Sequence, residues 1–167
     1  TAIREEFGAP VADDAAVRVL ARIEDDLVTV SIDTTGESLH KRGHKEAVAR
    51  APMRETMAAM FLRQCGFAGD EPVLDPMCGS GTFVIEAAEI ASGLKPGRTR
   101  SFAFEQLRTF DAAAWAAMKA GGAARPTELR FFGSDRDAGA VRMAGENAER
   151  AGVTARVRFE ERPVEEL

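Results

Sequence analysis

The sequence predicts an α/β fold, a parallel sheet with flanking helices, and three observations carry that expectation. Short apolar runs bounded by turn residues alternate with helical segments from residue 72 onward, and parallel neighbours need such crossover connections. Glycines stand at the junctions, at Gly79, Gly81, Gly93, Gly133 and Gly152. The chain is 167 residues long, 45% hydrophobic and 29% charged, which suits one globular domain with a real core.

Each element follows from its local pattern. Residues 17–23 and 28–33 alternate apolar and polar side chains around the acidic turn Glu24-Asp25-Asp26, which predicts an antiparallel hairpin. Residues 34–50 have no hydrophobic period, contain Gly36 and Gly43, and cluster His40, Lys41, Arg42, His44 and Lys45, so they predict a basic linker. Met53, Met57, Met60 and Phe61 recur at helical spacing, with Pro52 suited to a first helical position and Gly66 to a stop. They predict a helix over 52–65 whose methionines face the core. Residues 72–75 predict a strand, Gly79-Ser80-Gly81 a turn, and Phe83, Val84, Ala87, Ala88 and Ile90 a helix ended by Gly93. A helix is expected over 111–119, with Trp115 and Met118 in the core and Gly121-Gly122 as its breaker. A strand over 129–133, a helix over 137–151 capped by Asp137 and stopped by Gly152, and a strand over 155–159 complete the alternation. Three strands are fewer than open doubly wound sheets usually contain, so the sheet is expected to be part of a larger one.

Composition excludes several classes. With 22 Lys and Arg against 27 Asp and Glu, a net charge of −5 does not advertise a nucleic-acid binder, and any such contact must come from a local patch. Cys65 and Cys78 are far apart in sequence, which argues against a disulfide framework or a cysteine-built zinc site. No apolar run approaches the ~20 residues that cross a bilayer, and no signal sequence is visible. A cytoplasmic location is expected. His40 and His44 are four apart but lack a nearby acidic third ligand, so no metal site is expected.

The run Asp75-Pro76-Met77-Cys78-Gly79-Ser80-Gly81-Thr82 carries the chemistry. Glycines between a strand and a helix let a ligand approach the backbone, and the helix start offers free N–H groups to an anionic group. No Gly-Lys-Ser/Thr follows, and Val84 replaces the third glycine of a dinucleotide fingerprint, which weakens both nucleotide readings. Asp135 closes the next expected strand, where a ribose diol would be held. Asp75 and Asp135 lie much further apart than the ~20 residues of a minimal dinucleotide unit, so an insertion over 93–127 is expected.

These residues resemble the class I methyltransferases that carry a THUMP domain and methylate the exocyclic amine of guanine in ribosomal or transfer RNA. Besides the loop and the Phe83-Val84-Ile85-Glu86-Ala87-Ala88 helix, the resemblance includes Ser38-Leu39-His40-Lys41-Arg42-Gly43, Ala51-Pro52-Met53-Arg54-Glu55-Thr56-Met57-Ala58, Phe102-Ala103-Phe104-Glu105 and Gly133-Ser134-Asp135-Arg136-Asp137. It covers about residues 28–152, and the Phe-Ala-Phe-Glu element is peculiar to this group. The loop alone is shared with DNA adenine amino-methyltransferases, which stay as an alternative, as does a non-catalytic RNA- or partner-binding module.

The resemblance implies a Rossmann-like class I methyltransferase half-domain over 52–167, the last strands of a THUMP-like RNA-binding module over 1–36, and a basic linker over 37–51. It implies that Asp75, Pro76, Cys78, Gly79, Ser80 and Gly81 surround the methionine part of S-adenosylmethionine, with Thr82 at the helix start. Asp135 would hold the ribose hydroxyls and Arg136 would lie near the adenine. Arg54 and Thr56 match the segment that approaches the methionine carboxylate. Lys41, Arg42 and Lys45 are the candidate contacts to an RNA backbone, most directly that of large-subunit ribosomal RNA; a solvated connecting loop is the alternative. The family's catalytic tetrapeptide, Asn or Asp, then Pro-Pro, then an aromatic residue, occurs nowhere in the 167 residues, so no catalytic residue is assigned. Glu160, Glu161 and Pro163 stand where an acidic partner of the adenine amine is expected.

Overall fold

The computed structural model describes residues 2–46, 53–120, 128 and 130–166. Expectations for Pro52, the linker's end over 47–51, Gly121, Gly122 and Leu129 lie outside them. The chain forms two units, Thr1–Ser38 with Ser101–Ala112, and Leu39–Arg100 with Ala113–Leu167.

The first unit holds helix α1 (Ala2–Phe7) and the antiparallel pair β1 (Arg18–Glu24) and β2 (Leu27–Asp33), registered from Arg18 opposite Asp33 to Glu24 opposite Leu27. Asp25 and Asp26 take φ of 47° and 64°, the left-handed pair that matches a hairpin's twist. Leu20, Ile23, Val28 and Val30 are all exposed. The expected insertion is not one piece. Its Phe-Ala-Phe-Glu element returns to the hairpin, where Phe104 N–H donates to Thr34 O at 3.1 Å and Ala103 N–H to Thr35 O at 3.4 Å. Phe102 N–H donates to Glu105 Oε1 at 2.8 Å, closing the turn on itself.

The second unit is built on α2 (Glu55–Gln64), β3 (Val73–Asp75), α3 (Thr82–Ala91), β4 (Phe131–Asp135), α5 (Ala138–Ala151) and β5 (Val157–Glu161). The strands are parallel in the order β3-β4-β5, with Asp75 opposite Gly133 and Gly133 opposite Phe159. One sheet face, Val73, Phe131, Val157 and Phe159, packs with Val84, Ile85, Ala88, Ala148 and Ala151 into the core. On the opposite face Leu74 and Phe132 remain exposed. As expected, the Asp137 carboxylate caps α5, accepting from Gly139 and Ala140 N–H, and Gly152 ends that helix in the left-handed region.

Two expectations about the core are corrected. On α2 the buried residues are Glu55, Ala58 and Leu62, while Met57 and Met60 are exposed. Phe61 stacks on Phe83 with centroids 6.4 Å apart, which rotates the methionines outward. Helix α4 (Ala112–Ala120) has no buried residue. Met118 is 62% exposed, and Trp115 lies under the Lys119 ammonium, 5.3 Å from its ring centroid. An alanine-rich helix offers little apolar volume to bury, so it lies on the surface.

Candidate functional site

Strand β3 ends at Asp75, and the chain turns through residues 76–81 into α3. Cys78 N–H donates to Ser134 O at 2.8 Å, fastening the loop to the end of β4. One residue on, Gly79 N–H donates to Asp135 Oδ2 at 2.9 Å, and the other oxygen of Asp135 accepts from Asp137 N–H at 3.0 Å. Two segments 56 residues apart in sequence therefore meet at the C-terminal edge of the sheet, where open parallel sheets bind ligands. Asp75 Oδ1 accepts from Met77 N–H at 3.1 Å. Burial pushes the Asp75 carboxyl above its usual range; the Met77 N–H opposes this and the charge of Asp135 adds to it. Paired acids of this kind favour a cationic group between them.

The loop's two glycines serve different ends. Both have positive φ, 52° at Gly79 and 83° at Gly81. A Cβ on Gly79 would meet nothing within 4 Å, so this backbone faces open space. A Cβ on Gly81 would lie 2.9 Å from both Ala144 Cβ and Phe159 Cζ, so this backbone is pressed against α5 and β5. Gly133 also has a structural use, because a Cβ there would lie 2.7 Å from Phe159 Cδ1. Pro76 O accepts from Ser134 Oγ at 3.4 Å. Cys78 is buried, and burial, with the charges of Asp75 and Asp135, pushes its thiol up to about 12. It is a packing residue with no nucleophilic character.

Of the segment expected to be a basic linker, residues 39–46 belong to the second unit instead. Arg42 is 7% exposed, and its Nε and Nη2 donate to Glu86 Oε1 and Oε2, both at 3.0 Å. Its carbonyl accepts from Thr99 Oγ1 at 2.5 Å. A Cβ on Gly43 would lie 2.9 Å from Thr99 O. Lys45 Nζ donates to Thr82 Oγ1 at 2.8 Å and to Met53 O at 2.6 Å. The cations of Arg42 and Lys45 are thus engaged inside the protein, which corrects their assignment as RNA contacts; Lys41 is exposed.

His44 is 2% exposed, and burial, together with Arg98, Arg42, Lys45 and Arg150, holds its imidazole down to about 4. The unfolded chain, titrating near 6.5, takes up that proton first. Stability from this residue is therefore full above about pH 6.5 and is lost as pH falls through about 4. His44→Gln is expected to flatten the fall in Tm over that interval in thermal melts at pH 7 and 4.5. An unchanged fall would remove His44 as its source.

Arg136 is exposed directly after Asp135, and Arg54 is the exposed N-cap of α2, next to the half-buried Thr56. Glu160 is half-buried and pairs with Arg158 at 2.6 Å and Arg162 at 3.6 Å. Sequence reasoning missed Asn147, Phe159 and the anchoring use of Lys45. Asn147 had a legible signal, an amide on the alanine stripe Ala140, Ala144, Ala148 and Ala151 that is fully buried here. A groove of about 670 Å³ in the first unit, lined by Ile3, Pro10, Val19, Leu20 and Leu107 among others, contains none of the candidate residues.

Comparison with known proteins adds to this geometry. A family model described as "UPF0020: RMKL-like, methyltransferase domain" matches residues 42–167. The ribosomal RNA large subunit methyltransferase K/L of Vibrio parahaemolyticus is 40% identical over 150 residues, covering 86% of this chain and 21% of that protein. The chain therefore spans about a fifth of the length of the curated relatives it matches. Among solved structures, the SAH complex of SMU.472 aligns with a TM-score of 0.83 at 32% identity, covering 99% of this chain and 45% of that one. A predicted N6-adenine-specific DNA methylase from Listeria monocytogenes aligns with a TM-score of 0.85 at 33% identity, over 99% of this chain and 45% of that one.

Proposed function

Because the chain belongs, over residues 42–167, to the RMKL-like methyltransferase-domain family UPF0020, we propose that it forms the S-adenosylmethionine-binding part of an RNA methyltransferase. The substrate we assign is the exocyclic amine of guanine in large-subunit ribosomal RNA. One observation carries the cofactor reading: Gly79 N–H on the Asp135 carboxylate unites the loop and the acid in a single site. The residues fit such a group. The open space above Gly79 is what a Cβ would fill, and Asp75 and Asp135 supply acceptors for an ammonium and for a ribose diol. Pro76, Cys78, Gly79, Ser80, Gly81 and Thr82 would hold the methionine part, with Arg136 beside the adenine. When bound, S-adenosylmethionine supplies an electrophilic methyl on its sulfonium. The protein's own part is to hold that group by backbone amides and fixed carboxylates at the sheet edge, which orients it without reorganisation during reaction.

The RNA assignment is supported by the name of the Vibrio relative. Residues 1–36 are assigned to the last strands of a THUMP-like module, and the exposed Lys41 remains the candidate phosphate contact. A cytoplasmic location suits the free Cys65 and Cys78. The description of the Listeria protein favours a second reading, methylation of adenine in DNA.

Calorimetry with S-adenosylhomocysteine on the intact protein tests the cofactor site. Asp135→Ala is expected to weaken binding by roughly 1.5–3 kcal/mol, the usual cost of losing a charged acceptor. No loss would remove Asp135 from the pocket. Labelled methyl transfer, followed by nucleoside analysis, tests the substrate. Methylated guanine in large-subunit ribosomal RNA is expected; label in transfer RNA alone, or in DNA adenine, would overturn the assignment.

A further inference from the structure

We propose that residues 39–46 form a strap that positions the glycine loop, with Lys45 and Arg150 as its positioning residues. Two independent routes connect strap and loop. Along the first, Lys45 Nζ bridges Met53 O, just ahead of α2, and Thr82 Oγ1, the first residue of α3, at 2.6 and 2.8 Å. Along the second, Arg150 Nε donates to His44 O at 2.8 Å while its Nη2 donates to Asn147 Oδ1 at 2.7 Å. Asn147 Nδ2 then donates to Ser80 O at 3.1 Å, between the two loop glycines.

The strap itself is anchored beyond the loop, one turn further along α3 and on Arg100. Arg42 is paired with Glu86, and Arg100 Nη1 donates to Lys41 O at 3.1 Å. An anchored strap can fix the loop, whereas a strap that followed the loop could not. The contacts are also desolvated: Asn147 is 0% and Ser80 5% exposed. Hydrogen bonds are stronger in such surroundings, and breaking one strands a buried polar group.

The placement of Lys45 is otherwise costly. Its ammonium is half-buried at the N-terminus of α3, which already carries the positive end of the helix dipole. Burial lowers its pKa, and Glu55 and Glu86 work against that to keep the charge. A side chain needed only to fill space would be apolar. The ammonium supplies directed bonds to two backbone-defining points, and with the amide of Asn147 it holds both flanks of Gly81. Neither Lys45 nor Arg150 is among the residues assigned to the cofactor, and both reach the loop through hydrogen bonds, Lys45 directly on Thr82 and Arg150 through Asn147 on Ser80. The ligand's identity rests on the function proposed above; the positioning does not.

The test uses the intact protein with Lys45→Met, Lys45→Arg and Arg150→Met, and the core variant Val153→Ala as a control for general destabilisation. Amide hydrogen exchange at residues 79–82 of the ligand-free protein reads the positioning directly. Lys45→Met and Arg150→Met are expected to speed exchange there, Lys45→Arg to restore it, and Val153→Ala to leave it unchanged after correction for Tm. The Kd for S-adenosylhomocysteine should rise about tenfold in the first two variants, as one lost charge-assisted bond predicts. Faster exchange without any binding by the parent protein would sink the cofactor reading and keep the strap. Lower Tm in Lys45→Met and Arg150→Met, with exchange at the loop no different from Val153→Ala, would overturn the strap itself.

Discussion

Gly79→Ala is expected to leave the protein folded and to remove cofactor binding, whereas Gly81→Ala is expected to lower its stability sharply. At Gly79 the only folded-state penalty is the left-handed backbone, φ 52° with no neighbour within 4 Å of a new Cβ. That costs about 1–2 kcal/mol, a loss a folded domain survives. The methyl then stands in the space through which a ligand reaches the loop. At Gly81 the same backbone penalty is joined by contacts of 2.9 Å with Ala144 Cβ and Phe159 Cζ. Overpacking adds about 1–3 kcal/mol, and the sum of about 2–5 kcal/mol is a large fraction of the roughly 5–15 kcal/mol that holds a domain folded. Thermal melts and calorimetry with S-adenosylhomocysteine on the two variants separate the effects. Equal Tm losses, or tight binding by Gly79→Ala, would contradict the division of labour between the glycines.

Arg42→Met is expected to cost about 3–5 kcal/mol, the penalty for leaving a buried carboxylate without its partner. The cost should depend on pH. Burial pushes the Glu86 carboxyl up to about 7, against the pull of Arg42, so its contribution is present below the unfolded value of 4.5 and is lost as pH rises through about 7. Removing the guanidinium raises that carboxyl further, so the variant's deficit grows with pH. The same removal frees His44 to bind a proton, which reduces the deficit at low pH. Urea denaturation at pH 5.5 and 8 should therefore show the larger loss at pH 8. The double variant Arg42→Met with Glu86→Leu should recover most of the stability, since a buried pair replaced by apolar groups is often neutral. If Arg42 served an RNA backbone instead, its loss would spare the melt and flatten the salt dependence of RNA binding.

The elements that could be read from sequence are those set by neighbours along the chain. The hairpin follows from period-two alternation around two residues with positive φ, and the α5 boundaries follow from the Asp137 cap and the Gly152 stop. The loop and Asp135 were legible as one site because alternating strands and helices bring their ends to one edge. Partners set by long-range packing were not legible. Arg42 reads as a solvated cation until Glu86, 44 residues away, is placed against it. Periodicity marked an apolar stripe on α2, but the stacking of Phe61 on Phe83 turned Ala58 and Leu62 inward instead of Met57 and Met60. Gly81 reads as ligand-facing until Phe159 is seen beneath it.

The excursion of Ser101–Ala112 bears on how this architecture can be inherited or rebuilt. The backbone passes between the two units at residues 38–39, 100–101 and 112–113, so neither unit is a continuous stretch of gene. A recombination event that exchanged only residues before 39 would leave the ring cluster of Phe102, Phe104 and Phe110 beside a foreign N-terminal segment. It would also remove the Thr34 and Thr35 carbonyls that receive the returning segment. The residues before 39 and the excursion must therefore be transplanted together, which takes a crossover at each of the three passages between the units. During synthesis, the hairpin must wait more than 60 residues of chain for its last piece, which makes completion of the first unit contingent on the ribosome having passed the glycine loop of the second.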